Sequence, residues 1–298
     1  MSTQPRISIG MPAYNSAATI GVAIESLLAQ SFGDFELIVS DNASTDATRE
    51  IVEDLARRDR RIRYLRHNEN IGANLNYTHA FAQSSGEFFK WSSSSDWCAP
   101  EFLAACLKSL EPKAEAVLAA PRTRLFEGEP SNYREYTHDV EILDATPSQR
   151  LQHLLQDLRL NNVMNGLIRS KALRTTRLIR PYFGADVVLM GHLTLLGAFL
   201  FVDAPLYYRR MEIATSTALQ GADAVERHHF PKVSANVHFQ VIKRYVGWFA
   251  AAADAPMAFK ERLRVYRYIS RMARWERHAF FADLLGAARY AAGGFSKG

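Results

Sequence analysis

Polar residues stand where the first two apolar runs of the chain end. The stretch Ile7–Met11 alternates as a β-strand does and leads into Pro12–Asn15. A second run, Phe35–Ser40, leads into Asp41. At adjacent strand ends, the backbone after the first run and the Asp41 carboxylate would offer a pyrimidine base donors and acceptors, and Tyr14 could stack on it. The alternative is that Asp41 only forms a turn. For the nearby Asp46 we favour a helix cap.

A serine-rich segment follows the fourth apolar run. Phe88–Trp91 is strand-like, and Ser92–Ser95 and Asp96 come directly after it. One interpretation is a flexible polar loop. The flanking Trp97 and the apolar run before the serines favour a structured, ligand-binding segment.

The remaining pattern places these segments in an α/β fold. Short apolar runs near residues 7, 35, 62, 88 and 116 are separated by amphipathic stretches of helical period, with Asn15 or Ser16 as the predicted cap of the first helix. Such alternation predicts parallel β/α units that bind ligands at the carboxyl ends of the strands. Neither a Gly-x-Gly-x-x-Gly fingerprint nor a Gly-Lys-Ser/Thr phosphate loop follows the first strand, which disfavours dinucleotide oxidoreductases and P-loop NTPases.

Composition limits the classes of protein. The chain has 298 residues, of which 48% are hydrophobic and 22% charged, so a globular fold is expected. Apolar runs are too short to cross a bilayer, the N-terminus has no secretory pattern and there are two cysteines, so we expect a cytoplasmic location. Nine basic and three acidic residues lie from Lys260 to Lys297. The net charge of this segment therefore exceeds the net charge of the whole chain, which is +5. The core has no basic surplus, so nucleic acid is not an expected partner.

Four landmarks in order carry a resemblance to a known family: Pro12–Asn15, Ser40–Asp46, Asn70–Gly72 with Asn76, and Gly86–Phe88. The chain resembles the inverting nucleotide-sugar glycosyltransferases of family 2, which have the GT-A fold. The resemblance implies a GT-A domain over residues 1–220, with a nucleotide half (1–120) and an acceptor half (121–220). A helical C-terminal region (221–298) follows.

The resemblance also implies a set of site residues. The implied nucleotide contacts are Pro12, Ala13, Tyr14, Asn15, Asp41, Asn42, Gly72, Asn76, Ser94, Ser95 and Asp96. In the family, an Asp-x-Asp pair holds Mn²⁺ or Mg²⁺ on the diphosphate, and Ser93 and Ser95 stand at those two positions here. Two alternatives follow: Asp96 alone holds the metal, or hydroxyls and basic side chains bind the diphosphate directly.

The acceptor half supplies the remaining candidates. Asp186, in an acidic motif at the start of a helix, matches the family's catalytic base, with a helix cap as the alternative. Arg209 and Arg210 match a segment that would neutralise the diphosphate. Asn165 and Gly166 match the segment beneath the acceptor.

These inferences lead to one functional hypothesis and one rival. The chain is expected to transfer a sugar, with inversion, from a nucleotide-sugar donor such as a UDP-sugar to a hydroxyl of a glycan or lipid-linked acceptor in polysaccharide biosynthesis. The rival is a catalytically silent GT-A-like protein that binds nucleotide or glycan. The basic C-terminal helix suggests contact with the inner face of a membrane, or packing on its own domain or a homodimer partner.

Overall fold

A computed structural model describes residues 4–212 and 239–294, with the backbone alone from 289 to 294. Within these ranges the chain forms one mixed β-sheet with helices on both faces. The strands are β1 (Ile7–Ala13), β2 (Phe35–Asp41), β3 (Ile62–Arg66), β4 (Phe88–Trp91), β5 (Trp97–Cys98), β6 (Ala116–Phe126), β7 (Tyr133–Glu135), β8 (Leu167–Arg169) and β9 (Ala198–Arg210). The boundary predicted at residue 220 lies outside the described residues.

The sheet has the order β3-β2-β1-β4-β8-β6-β9-β5, and β7 pairs with β6. The first four strands are parallel, as the alternation of strands and helices predicts. Beyond them β8 runs antiparallel to both β4 and β6. The thirteen residues of β9 form one continuous strand that pairs in parallel with β6. The carboxyl ends of β1 and β2 therefore meet at one edge of the sheet.

The helices are α1 (Ile20–Leu28), α2 (Thr48–Arg58), α3 (Ala73–Ala82), α4 (Phe102–Leu110), α5 (Pro147–Asp157), α6 (Ser170–Arg174), α7 (Ala185–Leu196), α8 (Gln240–Asp254), α9 (Phe259–Trp275) and α10 (Arg277–Gly294). The predicted cap of α1 at Asn15 or Ser16 is wrong, because the Ser16 carbonyl closes a turn onto Thr19 and Ile20 before the helix begins. The predicted cap at Asp46 is one residue too early, because Ala47 is the cap of α2; the Asp46 carboxylate accepts the backbone N–H of Thr48 at 3.0 Å from the position before it.

Two hydrophobic clusters form the core. One contains α1, α2 and α4 side chains such as Ile24, Val52 and Leu103. The other contains α5, α7, α8 and α9 side chains, including Trp248 and Ile269. The C-terminal helices α8 and α9 thus share a hydrophobic core with the sheet. The apolar surface buried between them stabilises the helices and the sheet together.

Gly86 explains one of the landmarks physically. A Cβ at this position would lie 2.6 Å from the backbone nitrogen of Ser8 and 2.8 Å from the Ile7 carbonyl carbon. Only glycine therefore lets the chain enter β4 this close to β1. The close approach brings the serine-rich segment after β4 beside the end of β1.

Candidate functional site

Most of the predicted nucleotide contacts line one cavity of about 210 Å³ at the carboxyl ends of β1 and β2. The predicted residues found there are Pro12, Ala13, Tyr14, Asn15, Asn42, Asn76, Ser94 and Ser95. Tyr14 is 42% exposed, so its side chain is accessible for stacking on a base. The tertiary structure therefore brings the separate landmarks of the sequence together.

Hydrogen bonds from asparagine side chains order one side of this cavity. Asn42 donates to the Asn70 side chain at 2.7 Å and accepts the backbone N–H of Ile71 at 2.8 Å. Asn70 also accepts the N–H of Gly72. Gly72 has a φ of 88° and is the residue directly before α3. It is not among the described residues that line the smaller cavity or the larger one presented below. Asn76 exchanges two hydrogen bonds with Ser40.

Asp41 lies behind the cavity wall. Its carboxylate is fully buried and accepts the Ser44 backbone N–H at 2.9 Å, the Ser44 hydroxyl and the Tyr64 hydroxyl at 2.5 Å. Arg66 lies 3.4 Å away. Among the described residues, these partners occupy both oxygens, so Asp41 orders the turn after β2, and its contact with a base stays a prediction.

A larger cavity of about 680 Å³ adjoins the first and shares Ser93, Ser95 and Arg210 with it. Asp96, Arg209, Asn165 and Asp186 also line the larger cavity. Gly166 is not among the described residues that line either cavity. A Cβ there would lie 2.7 Å from the Ala119 carbonyl oxygen, so Gly166 serves the packing of the segment on β6.

Asp186 lies in the first turn of α7, after Gly184 in the left-handed conformation. The Asn161 side chain donates to its Oδ2 at 2.8 Å. Arg209 donates to the neighbouring Asn162 at 2.7 Å. The Asp186 carboxylate thus lies in the same cavity as Arg209 and Arg210, which are predicted to bind a diphosphate. A carboxylate in this position can accept a proton beside an anionic leaving group.

Asp96 joins the serine-rich segment to β9. Its Oδ2 accepts the Tyr207 hydroxyl at 2.5 Å, and its Oδ1 accepts the Arg210 backbone N–H at 3.0 Å. Burial raises the pKa of the Asp96 carboxyl, although these hydrogen bonds and the Arg209 and Lys90 charges oppose the rise. The buried Lys90 amine donates to the Trp91 carbonyl at 2.9 Å.

The donor set does not fit the divalent cation implied by the resemblance. Both Asp96 oxygens already accept protein hydrogen bonds, and the Ser93 and Ser95 hydroxyls lie 2.9 Å apart, bonded to each other. Mn²⁺ and Mg²⁺ prefer anionic oxygen ligands. The only carboxylate in this segment is thus engaged in fastening β9.

Sequence reasoning missed several residues of the larger cavity: Arg159, Asn161, Phe183, Arg244, Trp248, Met272 and Glu276. They come from elements far apart in sequence. One signal was available, because Arg244 and Trp248 are four positions apart in a helical segment and so share a face.

Comparison with known proteins gives a family and a fold. Residues 8–182, more than half of the chain, match the family described as "Glycosyl transferase family 2". A GalNAc(5)-diNAcBac-PP-undecaprenol beta-1,3-glucosyltransferase of Campylobacter jejuni is 37% identical over 111 residues, 37% of this chain and 35% of the relative. The Bacillus subtilis protein named as a glycosyltransferase, EpsH, is 25% identical over 221 residues, 71% of this chain and 62% of the relative. The chain thus spans less than two thirds of either relative.

Among solved structures, S. aureus TarS 1-349 in complex with UDP-GlcNAc superposes with a TM-score of 0.63 at 18% identity, covering 92% of this chain and 74% of that one. The predicted α/β, GT-A fold is confirmed.

The buried Asp96 leads to a pH-dependent prediction. A folded pKa above the ordinary 3.8 means that protonated Asp96 stabilises the fold, and that this stability is lost as pH rises from 3.8 through the raised value. Asp96→Asn stays neutral, so its Tm relative to the native protein should rise by roughly a few degrees across that window and then level off. Thermal unfolding from pH 3.5 to 8 measures this, with the exposed Asp34→Asn as control. A relative Tm that falls with pH would contradict the prediction.

Proposed function

The chain belongs to glycosyl transferase family 2, and on that premise we propose that it transfers a sugar, with inversion, from a nucleotide-sugar donor, a UDP-sugar, to a hydroxyl of a glycan or lipid-linked acceptor. One observation carries the proposal: the cavity of the nucleotide landmarks and the cavity of Asp186 share Ser93, Ser95 and Arg210. The UDP-GlcNAc in the TarS complex supports the donor class.

In the proposed complex, the nucleoside occupies the smaller cavity, with its base against Pro12–Tyr14. The diphosphate lies at the shared wall, where the serine hydroxyls donate hydrogen bonds to it and Arg210 supplies positive charge, together with Arg209 from the larger cavity. The Arg210 side chain is fixed there by bonds to the Ser95 carbonyl at 3.0 Å and to Glu212 at 2.6 Å. No divalent cation takes part in this binding.

The sugar then extends into the larger cavity, where Asp186 is the base. Its carboxylate removes the proton from the acceptor hydroxyl as that oxygen attacks C1 from the face opposite the diphosphate. The bond from C1 to the diphosphate breaks, and UDP leaves with the electron pair. The Asn161 amide holds Asp186 in place for this step.

Replacing the base should abolish turnover without affecting donor binding. Asp186→Asn keeps the shape and the Asn161 contact but removes the basicity, so kcat should fall on the order of 10²–10⁴-fold. UDP release in the presence of acceptor measures turnover, and calorimetry measures UDP affinity. Asp157→Asn, an exposed carboxylate outside both cavities, is the matched control. Normal turnover in Asp186→Asn would assign the base to another carboxylate.

Metal independence is tested by measuring UDP affinity with Mn²⁺ and with EDTA. The native protein should bind UDP equally in both, because the serines and arginines carry the diphosphate. In EDTA, Ser93→Asp with Ser95→Asp should weaken UDP binding about tenfold, since two carboxylates would face the diphosphate, and Mn²⁺ should restore it. The control adds the same charges outside the cavities, at the exposed Ser31 and Ser270. Loss of UDP from the native protein in EDTA would make Asp96 a metal ligand.

A lipid-linked acceptor would be met at a membrane surface, and we propose that α9 and α10 dock there. The exposed basic residues of α9 share one face: Lys260, Arg264, Arg267, Arg271 and Arg274. Exposed apolar side chains follow at the end of α9 and along α10: Trp275, Phe281, Leu284 and Leu285.

The acidic residues close to this surface are paired: Glu261 with Arg264, and Glu276 with Arg244. Positive charge beside exposed aromatic surface favours an anionic bilayer. In the described ranges no helix is long and apolar enough to span one.

Vesicle cosedimentation tests the docking surface. The protein should bind phosphatidylglycerol-containing vesicles and not pure phosphatidylcholine, and binding should weaken with salt. Arg267→Gln with Arg271→Gln should lower the affinity on the order of tenfold. Arg57→Gln with Arg58→Gln, exposed on α2, is the control. Dimerisation in solution without vesicle binding would instead assign this face to a second copy of the chain.

A further inference from the structure

The end of the larger cavity remote from the nucleotide is built by the C-terminal helices. Arg244 and Trp248 come from α8, Met272 from α9, and Glu276 directly follows α9. None of these four lines the smaller cavity, whose described lining comes from residues before 213. Because the donor's diphosphate is assigned to the wall that both cavities share, these residues face the space left for the acceptor.

Close packing fixes α8 against α7, the helix that carries Asp186. A Cβ on Gly247 would collide with the Tyr182 hydroxyl and lie 3.0 Å from a Val188 methyl. A Cβ on Gly191 would lie 3.4 Å from the indole nitrogen of Trp248. Glycine on each helix therefore permits an approach that side chains would prevent, and the α8 side chains are held in a fixed position relative to Asp186.

An ion pair lies at this end of the cavity. Arg244 donates to Glu276 at 2.8 Å, and its guanidinium lies 5.6 Å from the ring centre of Trp248. The Arg244 and Glu276 side chains are 25% and 39% exposed, so each retains hydrogen-bonding capacity toward the cavity. Since the two charges offset each other, the pair suits a polar, uncharged ligand better than a bare phosphate.

An aromatic face completes the arrangement. Phe183 lines the same cavity and is 50% exposed, three positions before Asp186. Its backbone N–H donates to the Gln240 side chain at 2.7 Å, which ties this segment to the start of α8. An exposed ring in a cavity that also offers a few placed polar groups is the usual composition of a site that orients a small ligand.

We propose that Phe183, Arg244 and Glu276 form the subsite for a pyranose ring of the acceptor. The apolar face of the sugar lies on Phe183, and its hydroxyls bond with the Arg244–Glu276 pair. The C-terminal helices thereby select the acceptor and present its reacting hydroxyl to Asp186. This inference rests on the proposed function, because it assigns the acceptor side of the same reaction.

Saccharide binding to the full chain saturated with UDP tests the subsite. The probes are the methyl glycosides of glucose, galactose, N-acetylglucosamine and N-acetylgalactosamine, observed by saturation-transfer NMR. At least one should bind the native protein, and its Kd should rise about tenfold in Phe183→Ala and in Glu276→Gln. The matched controls are Phe259→Ala, which truncates an exposed ring outside the cavity, and Glu53→Gln, which breaks an exposed ion pair with Arg49. Both should bind as the native protein does.

The outcomes separate the two proposals. If UDP binds but no probe does, or if both variants bind the probe with native affinity, the subsite is wrong while the donor site stands. If UDP itself does not bind, the proposed function fails, and the subsite falls with it. Phe183 is half-exposed, so its truncation leaves the core intact, and an unchanged Tm verifies this.

Discussion

The buried Asp96 carboxylate is the contact on which the arrangement of the site depends. It follows β4, and it accepts hydrogen bonds from Tyr207 and Arg210 of β9, more than a hundred residues later in the chain. Removing a carboxylate from water costs free energy, which these bonds and the nearby Lys90 and Arg209 charges offset only in part, so the pKa of Asp96 stays raised. The single carboxylate of the segment therefore joins two strands that are distant in sequence, and it brings Ser93, Ser95 and Arg210 to the wall that the two cavities share.

This use of Asp96 changes the electrostatics of the site. Two acidic residues at positions 93 and 95 would need a cation before a diphosphate could approach. With serine at both positions, the wall presents hydroxyls beside Arg210, which is paired with Glu212, and the proposed diphosphate would meet no carboxylate at residues 93 and 95. The proposal of metal-free binding therefore rests on two features: the hydrogen bonds of Asp96 to β9, and serine at positions 93 and 95.

The two hydrophobic clusters support different parts of the site. The cluster with α1, α2 and α4 supports the parallel strands whose carboxyl ends line the smaller cavity. The other cluster holds α5, α7, α8 and α9 around Trp248. Because α8 packs on α7, variation in the C-terminal helices would alter the proposed acceptor subsite in the larger cavity, whereas the described lining of the smaller cavity comes from residues before 213. The exposed basic and aromatic surface of α9 and α10 lies on the same helical region.

The resemblance to family 2 implied the cluster formed by Pro12–Asn15, Asn42 and Asn76. The local sequence was enough to predict the strands β1 to β4 and the helices between them. Apolar periodicity encodes these elements, and parallel strands necessarily bring their carboxyl ends together. Only the tertiary structure decided that Asp41 points into the protein toward Ser44 and Tyr64, that Asp96 fastens β9, and that Arg244 and Glu276 reach the cavity of Asp186. Each of these depends on contacts between residues far apart in the chain, and local periodicity carries no information about which distant side chain completes a buried hydrogen bond or an ion pair.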